Sequence, residues 1–231
     1  MTFQTSVKSQ QAPAIAGDFA SANPRASVLA GESALVAGAN GVTVGNFAWS
    51  LGNVAMSNFQ ASPAQVGFVH REMNAIITVW LGQSSMTVPA GLPVTLMEAG
   101  DFWGLFAGGA TIGQKVYANY GTGALSAAAT ATPPTNTGVV STATNTTLTV
   151  TTAPAAPIVV GQPVSGAGIA AGTYIAALGT GTGGLGTYTL SAATTATAAG
   201  VTATFSLAVE TPFVVRSTAA AGEIAKISTW G

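Results

Sequence analysis

Short runs of alternating apolar and polar residues, broken by glycine, proline and asparagine, recur along most of this chain. Residues 35–37 and 42–44 are apolar and flank Asn40-Gly41, a pair that tolerates positive φ, which predicts a hairpin. Residues 75–81 are almost wholly apolar and read as a well-buried strand. Met86-Thr87-Val88 and residues 94–97 straddle a proline- and glycine-bearing reversal at 89–93. Residues 115–120 and 211–216 alternate with the period of two that a half-buried strand needs. Helical spacing is weak throughout. The pattern predicts an all-β fold, a jelly-roll-like β-sandwich or barrel.

The two ends and the middle differ from this background. Residues 1–25 read as an extended N-terminal arm, rich in Gln and Ser, with Pro13 and Pro24 opposing regular structure. Its apolar residues Ile15 and Phe19 are too sparse to form a core. They are either anchors on a partner or parts of a packed terminus. In the middle, residues 145–152, 187–190 and 201–205 place threonines on one face and apolar side chains on the other. Threonine keeps such strands soluble without charge, and its branched Cβ favours extended backbone. The expected organisation is an arm at 1–25, a main β-domain made of 26–136 and 209–231, and a β-rich, uncharged insertion at 137–208. One small echo links them: Gly113-Gln114-Lys115-Val116 and Gly161-Gln162-Pro163-Val164 share a turn leading into a strand.

Charge sharpens the picture. Residues 116–209 contain no Asp, Glu, Lys, Arg or His, the side chains that acid–base, metal and phosphate chemistry mostly use, so this stretch is poorly equipped for chemistry. Overall 48% of residues are hydrophobic, 7% aromatic and only 6% charged, with a formal net charge of −1. No broad positive field exists to attract nucleic acid or anionic lipid, so neither is expected as a partner. Near-neutrality also weakens self-repulsion, which suits dense packing of copies. There is no cysteine, hence no disulfide and no thiolate metal site. No apolar run reaches the length of a membrane-spanning helix. Residues 1–8 lack a basic start followed by an apolar block, so no secretion signal is expected.

Candidate chemistry is thin. Gly166-Ala167-Gly168-Ile169-Ala170-Ala171 fits a dinucleotide fingerprint, but Pro163 interrupts the preceding strand and the first downstream acid is Glu210. Residues 181–186 offer a second match that runs into a strand, where a turn explains it better. Gly108 and Gly113 have phosphate-loop spacing but lack the Lys-Ser/Thr that must follow. His70-Arg71-Glu72 is the densest polar cluster; His70 and Glu72 share a strand face, and an ion pair or interface contact suits them better than a catalytic base. Gly-Asp-Phe occurs twice, at 17–19 and 100–102. Its aspartates read as turn residues rather than paired glycosidase carboxylates. Trp49, Trp80, Trp103 and Trp230 read as core or interface anchors. No active site, cofactor or metal site is expected.

Several runs resemble the structural cement proteins that decorate the capsids of tailed bacteriophages. They are residues 10–31, from Gln10-Gln11-Ala12-Pro13 through Asn23-Pro24-Arg25, then Gly67-Phe68-Val69-His70-Arg71-Glu72, Val88-Pro89-Ala90-Gly91, Gly100-Asp101-Phe102-Trp103 and Gly113-Gln114-Lys115-Val116. At the other end are Glu210-Thr211-Pro212-Phe213-Val214-Val215 and residues 221–231. The resemblance implies a non-enzymatic, jelly-roll-like virion protein, made in the bacterial host cytoplasm. It would oligomerise as a dimer or trimer on the capsid exterior and cement neighbouring major capsid subunits. Ile15, Phe19, Arg25, His70, Arg71, Glu72 and Trp230 are the candidate contacts with the major capsid protein or with other copies. Two alternatives remain at this stage: a tail- or fibre-associated β-protein, or a carbohydrate-binding sandwich that adheres to a host-surface glycan. The insertion's Tyr174 and Tyr188 would be the platforms for the second.

Overall fold

The computed structural model describes residues 14–59, 64–72 and 86–230, and among these every regular element is a β-strand. The predicted strand at 75–81 lies outside the described residues. The all-β expectation holds.

The first sheet has six strands. From edge to edge they are β1 (Ala26–Ser27), β8 (Leu96–Ala99), β6 (Gln65–Val69), β4 (Phe47–Leu51), β5 (Val54–Met56) and β2 (Val36–Ala37). A short pair, β3 (Val42–Thr43) and β7 (Thr87–Val88), sits beside it. Next comes a closed five-stranded barrel of β10 (Lys115–Asn119), β11 (Leu125–Ala128), β9 (Asp101–Phe106), β19 (Glu223–Ser228) and β18 (Ala208–Val215). Sheet and barrel share a core of phenylalanines. Phe47, Phe68, Phe102 and Phe213 are each at most 1% exposed, with ring centroids 4.9–6.2 Å apart. Edge and tilted contacts dominate, as the ring quadrupole favours.

The predicted hairpin at Asn40-Gly41 does not form. The turn is there, with Gly41 at φ 67° and its N–H on Gly38 O at 2.8 Å. The flanking strands instead part company: β2 runs parallel to β5, and β3 pairs with β7. Each is only two residues long, too short to hold a partner by itself, so non-local pairing decides. Gly41 is needed for a different reason, because a Cβ there would stand 2.7 Å from the Val88 carbonyl oxygen on β7.

Residues 135–206 form a third sheet in the order β14 (Val164–Gly166), β17 (Ala198–Ser206), β12 (Thr135–Thr142), β13 (Thr147–Thr152), β16 (Gly186–Leu190) and β15 (Ile175–Leu178). It has its own core, built on Val140, Leu148, Val150, Ile158, Ile175, Tyr188 and Phe205. In β13, Leu148 and Val150 are buried while Thr147 and Thr151 face out, as alternation predicted. The sheet curls until its edges meet: Pro163 bridges Tyr174, and Val164 N–H donates to Thr173 O at 2.9 Å. Few free edges remain to recruit another strand.

The Gly-Gln-x-Val echo is structural. Gly113 and Gly161 both have positive φ, at 88° and 84°. Gln114 Oε1 accepts from Thr111 N–H at 2.8 Å, and Gln162 Oε1 accepts from Val159 N–H at 3.1 Å. Each corner then exchanges two backbone bonds with a strand: Gly113 and Gln114 with Val215, Gly161 and Gln162 with Ile175. One corner opens β10 of the barrel and the other opens β14 of the third sheet.

At the neck between barrel and third sheet, Glu210 accepts from Ala131 N–H at 2.7 Å and from the buried Tyr117 hydroxyl at 2.9 Å. Those two donors hold the Glu210 carboxyl below its ordinary pKa. Burial pushes the Tyr117 hydroxyl up, and the neighbouring carboxylate reinforces the shift.

Candidate functional site

The two Gly-Asp-Phe triplets lie side by side. Phe19 and Phe102 form an antiparallel bridge, flanked by Gly17 N–H on Trp103 O (2.7 Å), Trp103 N–H on Asp18 O (2.9 Å) and Ala20 N–H on Asp101 O (2.9 Å). The end of the arm is thus added as a short strand to the edge of β9. Both glycines have positive φ, and a Cβ on Gly17 would meet Val44 Cγ1 at 2.5 Å. Asp18 does sit in a turn, where Oδ2 accepts from Ile15 N–H at 3.1 Å and Oδ1 pairs with Arg71 at 3.2 Å.

Around this seam the structure gathers the residues singled out from the sequence. The Phe19 ring lies 5.0 Å from the His70 ring, and the Arg25 guanidinium stands 4.1 Å over its face, a cation–π contact. His70 Nε2 reaches Glu72 at 2.9 Å. The Trp230 indole N–H donates to Pro24 O at 2.9 Å, tying the C-terminal segment to the arm, while the Arg216 guanidinium donates to Trp230 O. Phe19 is 38% exposed and Trp230 44%, both large apolar groups on the surface; Ile15 is 50% exposed. Aromatic side chains and arginines in one patch are the composition that interface centres favour.

Sequence reasoning missed the polar cleft next to this seam, with a volume of about 370 Å³, where Asp101, Arg216, Lys226, Ser21, Asn23 and Trp230 converge. Asp101 Oδ2 accepts from Ser21 Oγ and from Asn23 Nδ2, both at 2.6 Å. Its Oδ1 is buried and has no hydrogen-bond partner among the described residues. Burial opposes ionisation of this carboxyl, but the Ser21 donor, the neighbouring Ser228 hydroxyl, the Asn23 donor and the Arg216 charge outweigh it and hold its pKa below the ordinary value. The repeated triplet pointed to Asp101. Arg216 and Lys226 carry no local motif and meet only through strand pairing.

The remaining motifs hold no site. Gly166 ends β14, and Gly168 turns with φ 76° against the Ala196 carbonyl, with no helix following. Residues 181–186 lead into β16, so the glycines serve the β15–β16 connection. Tyr188 is not an exposed platform: it is 1% exposed, and its hydroxyl is consumed by Gly184 O and Gly183 N–H. Tyr174 faces an apolar cavity of about 280 Å³ at the neck, with Trp49, Phe59 and Tyr120. Among the described residues no three His, Asp or Glu side chains come close enough to hold a metal, and no helix is long and apolar enough to cross a membrane.

The described residues thus form a β-protein with aromatic cores, an arm segment paired to β9 and an exposed aromatic–arginine seam. Residues 3–154, well over half of the chain, match the family model described as the XM1 gp53 minor capsid protein, and the chain belongs to this family of phage minor capsid proteins. It is therefore a structural, capsid-associated protein of the virion. No curated protein matches the sequence.

Proposed function

We infer that the protein is a cement protein: it binds the outside of the assembled capsid, as a homo-oligomer, and bridges neighbouring major capsid subunits without catalysing a reaction. The observation that carries this reading is the exposed seam of Ile15, Phe19, Arg25 and Trp230, pinned by Asp18–Arg71 and His70–Glu72, in a chain of a minor capsid family. A pre-ordered aromatic–arginine surface loses little entropy on docking, and several modest contacts per oligomer add up through avidity. The uncharged module at 137–208 is read as a separate unit carried away from the shell, its threonine-lined surface limiting unwanted contacts. The test is the composition of purified particles. Copy numbers comparable with those of the major capsid protein support cementing, whereas a few copies confined to the tail overturn it.

A further inference from the structure

Opposite β9, the arm is held by the two residues that follow β6. Gly17 O accepts from Arg71 N–H at 2.8 Å, Asp18 pairs with the Arg71 guanidinium at 3.2 Å, and the Phe19 ring lies 5.0 Å from the His70 ring. Three consecutive arm residues thus rest on His70 and Arg71, so the conformation of this short segment sets the conformation of the seam. The His70 side chain fixes that segment from within. Its Nδ1 lies 3.1 Å from Arg71 O, and its Nε2 lies 2.9 Å from Glu72 Oε1.

Both ring nitrogens therefore face oxygens. A backbone carbonyl and a carboxylate only accept, while a neutral imidazole carries a single N–H. The neutral ring can satisfy one of these oxygens and must turn a lone pair on the other. Two bonds need one more proton on the His70–Glu72 pair. Between an imidazole and a carboxylate the ring ordinarily takes that proton, and the imidazolium donates to both sides. Its charge then also lies beside the Phe19 ring, where a cation is favoured. His70 and Glu72 are half-buried, so water replaces a lost bond only in part. Among the described residues, the charged groups gathered round the ring are Glu72 on its own segment, the Asp18–Arg71 pair, and Arg25 over Phe19. Carboxylates and guanidinium groups ordinarily keep their charge between pH 5 and 8, whereas imidazole changes there. His70 is the only histidine in the chain.

We propose that His70 is a proton-operated latch on the arm: with both ring nitrogens protonated it locks residues 70–72 and, through them, residues 17–19, and loss of one proton loosens the aromatic–arginine seam. The latch works within a single chain, so it stands apart from the cementing reading. The test is hydrogen exchange of the full-length protein between pH 5.5 and 8, expressed as protection factors so that the intrinsic pH dependence of exchange is removed. The third sheet serves as an internal control, because residues 116–209 carry no Asp, Glu, Lys, Arg or His. In wild type, residues 14–20 should lose about fivefold or more of their protection as pH rises, while 135–206 stay level. His70→Gln should show the lower protection at every pH, with no step. Glu72→Gln replaces the carboxylate by an amide that can donate to an unprotonated ring nitrogen. It should keep the arm protected and shrink the step, whereas a merely structural role would lower protection at every pH in both variants. Wild-type protection of 14–20 that does not change with pH overturns the proposal, as does a step that survives in His70→Gln. A full step in Glu72→Gln overturns the assignment to the His70–Glu72 pair. Each of these failures leaves the cementing reading standing.

Discussion

Phe19 and Phe102 face each other across an antiparallel bridge, their ring centroids 5.4 Å apart, one from the arm and the other from the barrel core. Phe19 thus helps fasten the arm segment while 38% of it stays exposed. Phe102→Ala empties a site that is 0% exposed and should cost about 3–5 kcal/mol of stability. Phe19→Ala loses only a half-covered ring and should cost about 1 kcal/mol, yet weaken shell binding clearly. Denaturant unfolding and co-sedimentation of the two variants separate these outcomes.

Gln162 is only 1% exposed, and its Oε1 accepts from Val159 N–H. Gln162→Leu keeps the bulk and orphans that donor. It should destabilise the third sheet by about 1–3 kcal/mol, read as an earlier loss of structure in 135–206 by hydrogen exchange. Gln114→Leu should cost the barrel less, because Thr111 N–H is exposed and water can take it.

Phe59 lies flat on the backbone of Gly161, where a Cβ would come within 1.7 Å of Phe59 Cδ1. Gly161→Ala should therefore loosen the third sheet from the Trp49–Phe59–Tyr120 cluster and lower the melting temperature. Phe59→Ala in the same chain should restore only part of the loss, because Gly161 also has φ 84°. A double-mutant cycle measures that coupling.

Glu210 and Asp101 have folded-state pKa values below their ordinary values of 4.5 and 3.8. Groups shifted down stabilise the fold at pH above the ordinary value and lose that contribution as pH falls through the folded one. Stability should thus be flat in these groups near neutrality and decline below pH 4.5. Glu210→Gln should lower stability at neutral pH and flatten the acid decline, as thermal unfolding against pH would show.

Much of this molecule was legible from its sequence because the signals are local. Period-two alternation found β10, β13, β16 and β17, and the Gly-Gln-x-Val echo marked two corners held by the same bonds. The gathering of Phe19, Arg25, His70 and Trp230 was not local, although each residue had been singled out. What failed was pairing. Asn40-Gly41 makes its turn, but β2 and β3 find partners at Val54–Met56 and Thr87–Val88, which no nearby residue announces. Arg216 and Lys226 became neighbours for the same reason, through a register set by the chain between them. Tyr188 looked like a platform because an alternating strand does not say which face will be roofed over.

Cryo-electron microscopy of the intact particle at side-chain resolution tests the central claim most directly. The account predicts density for this protein on the outer capsid surface, spanning neighbouring major capsid subunits. Phe19, Arg25 and Trp230 should lie against the shell. A particle whose shell lacks the protein, or that holds it only at the tail, would contradict it.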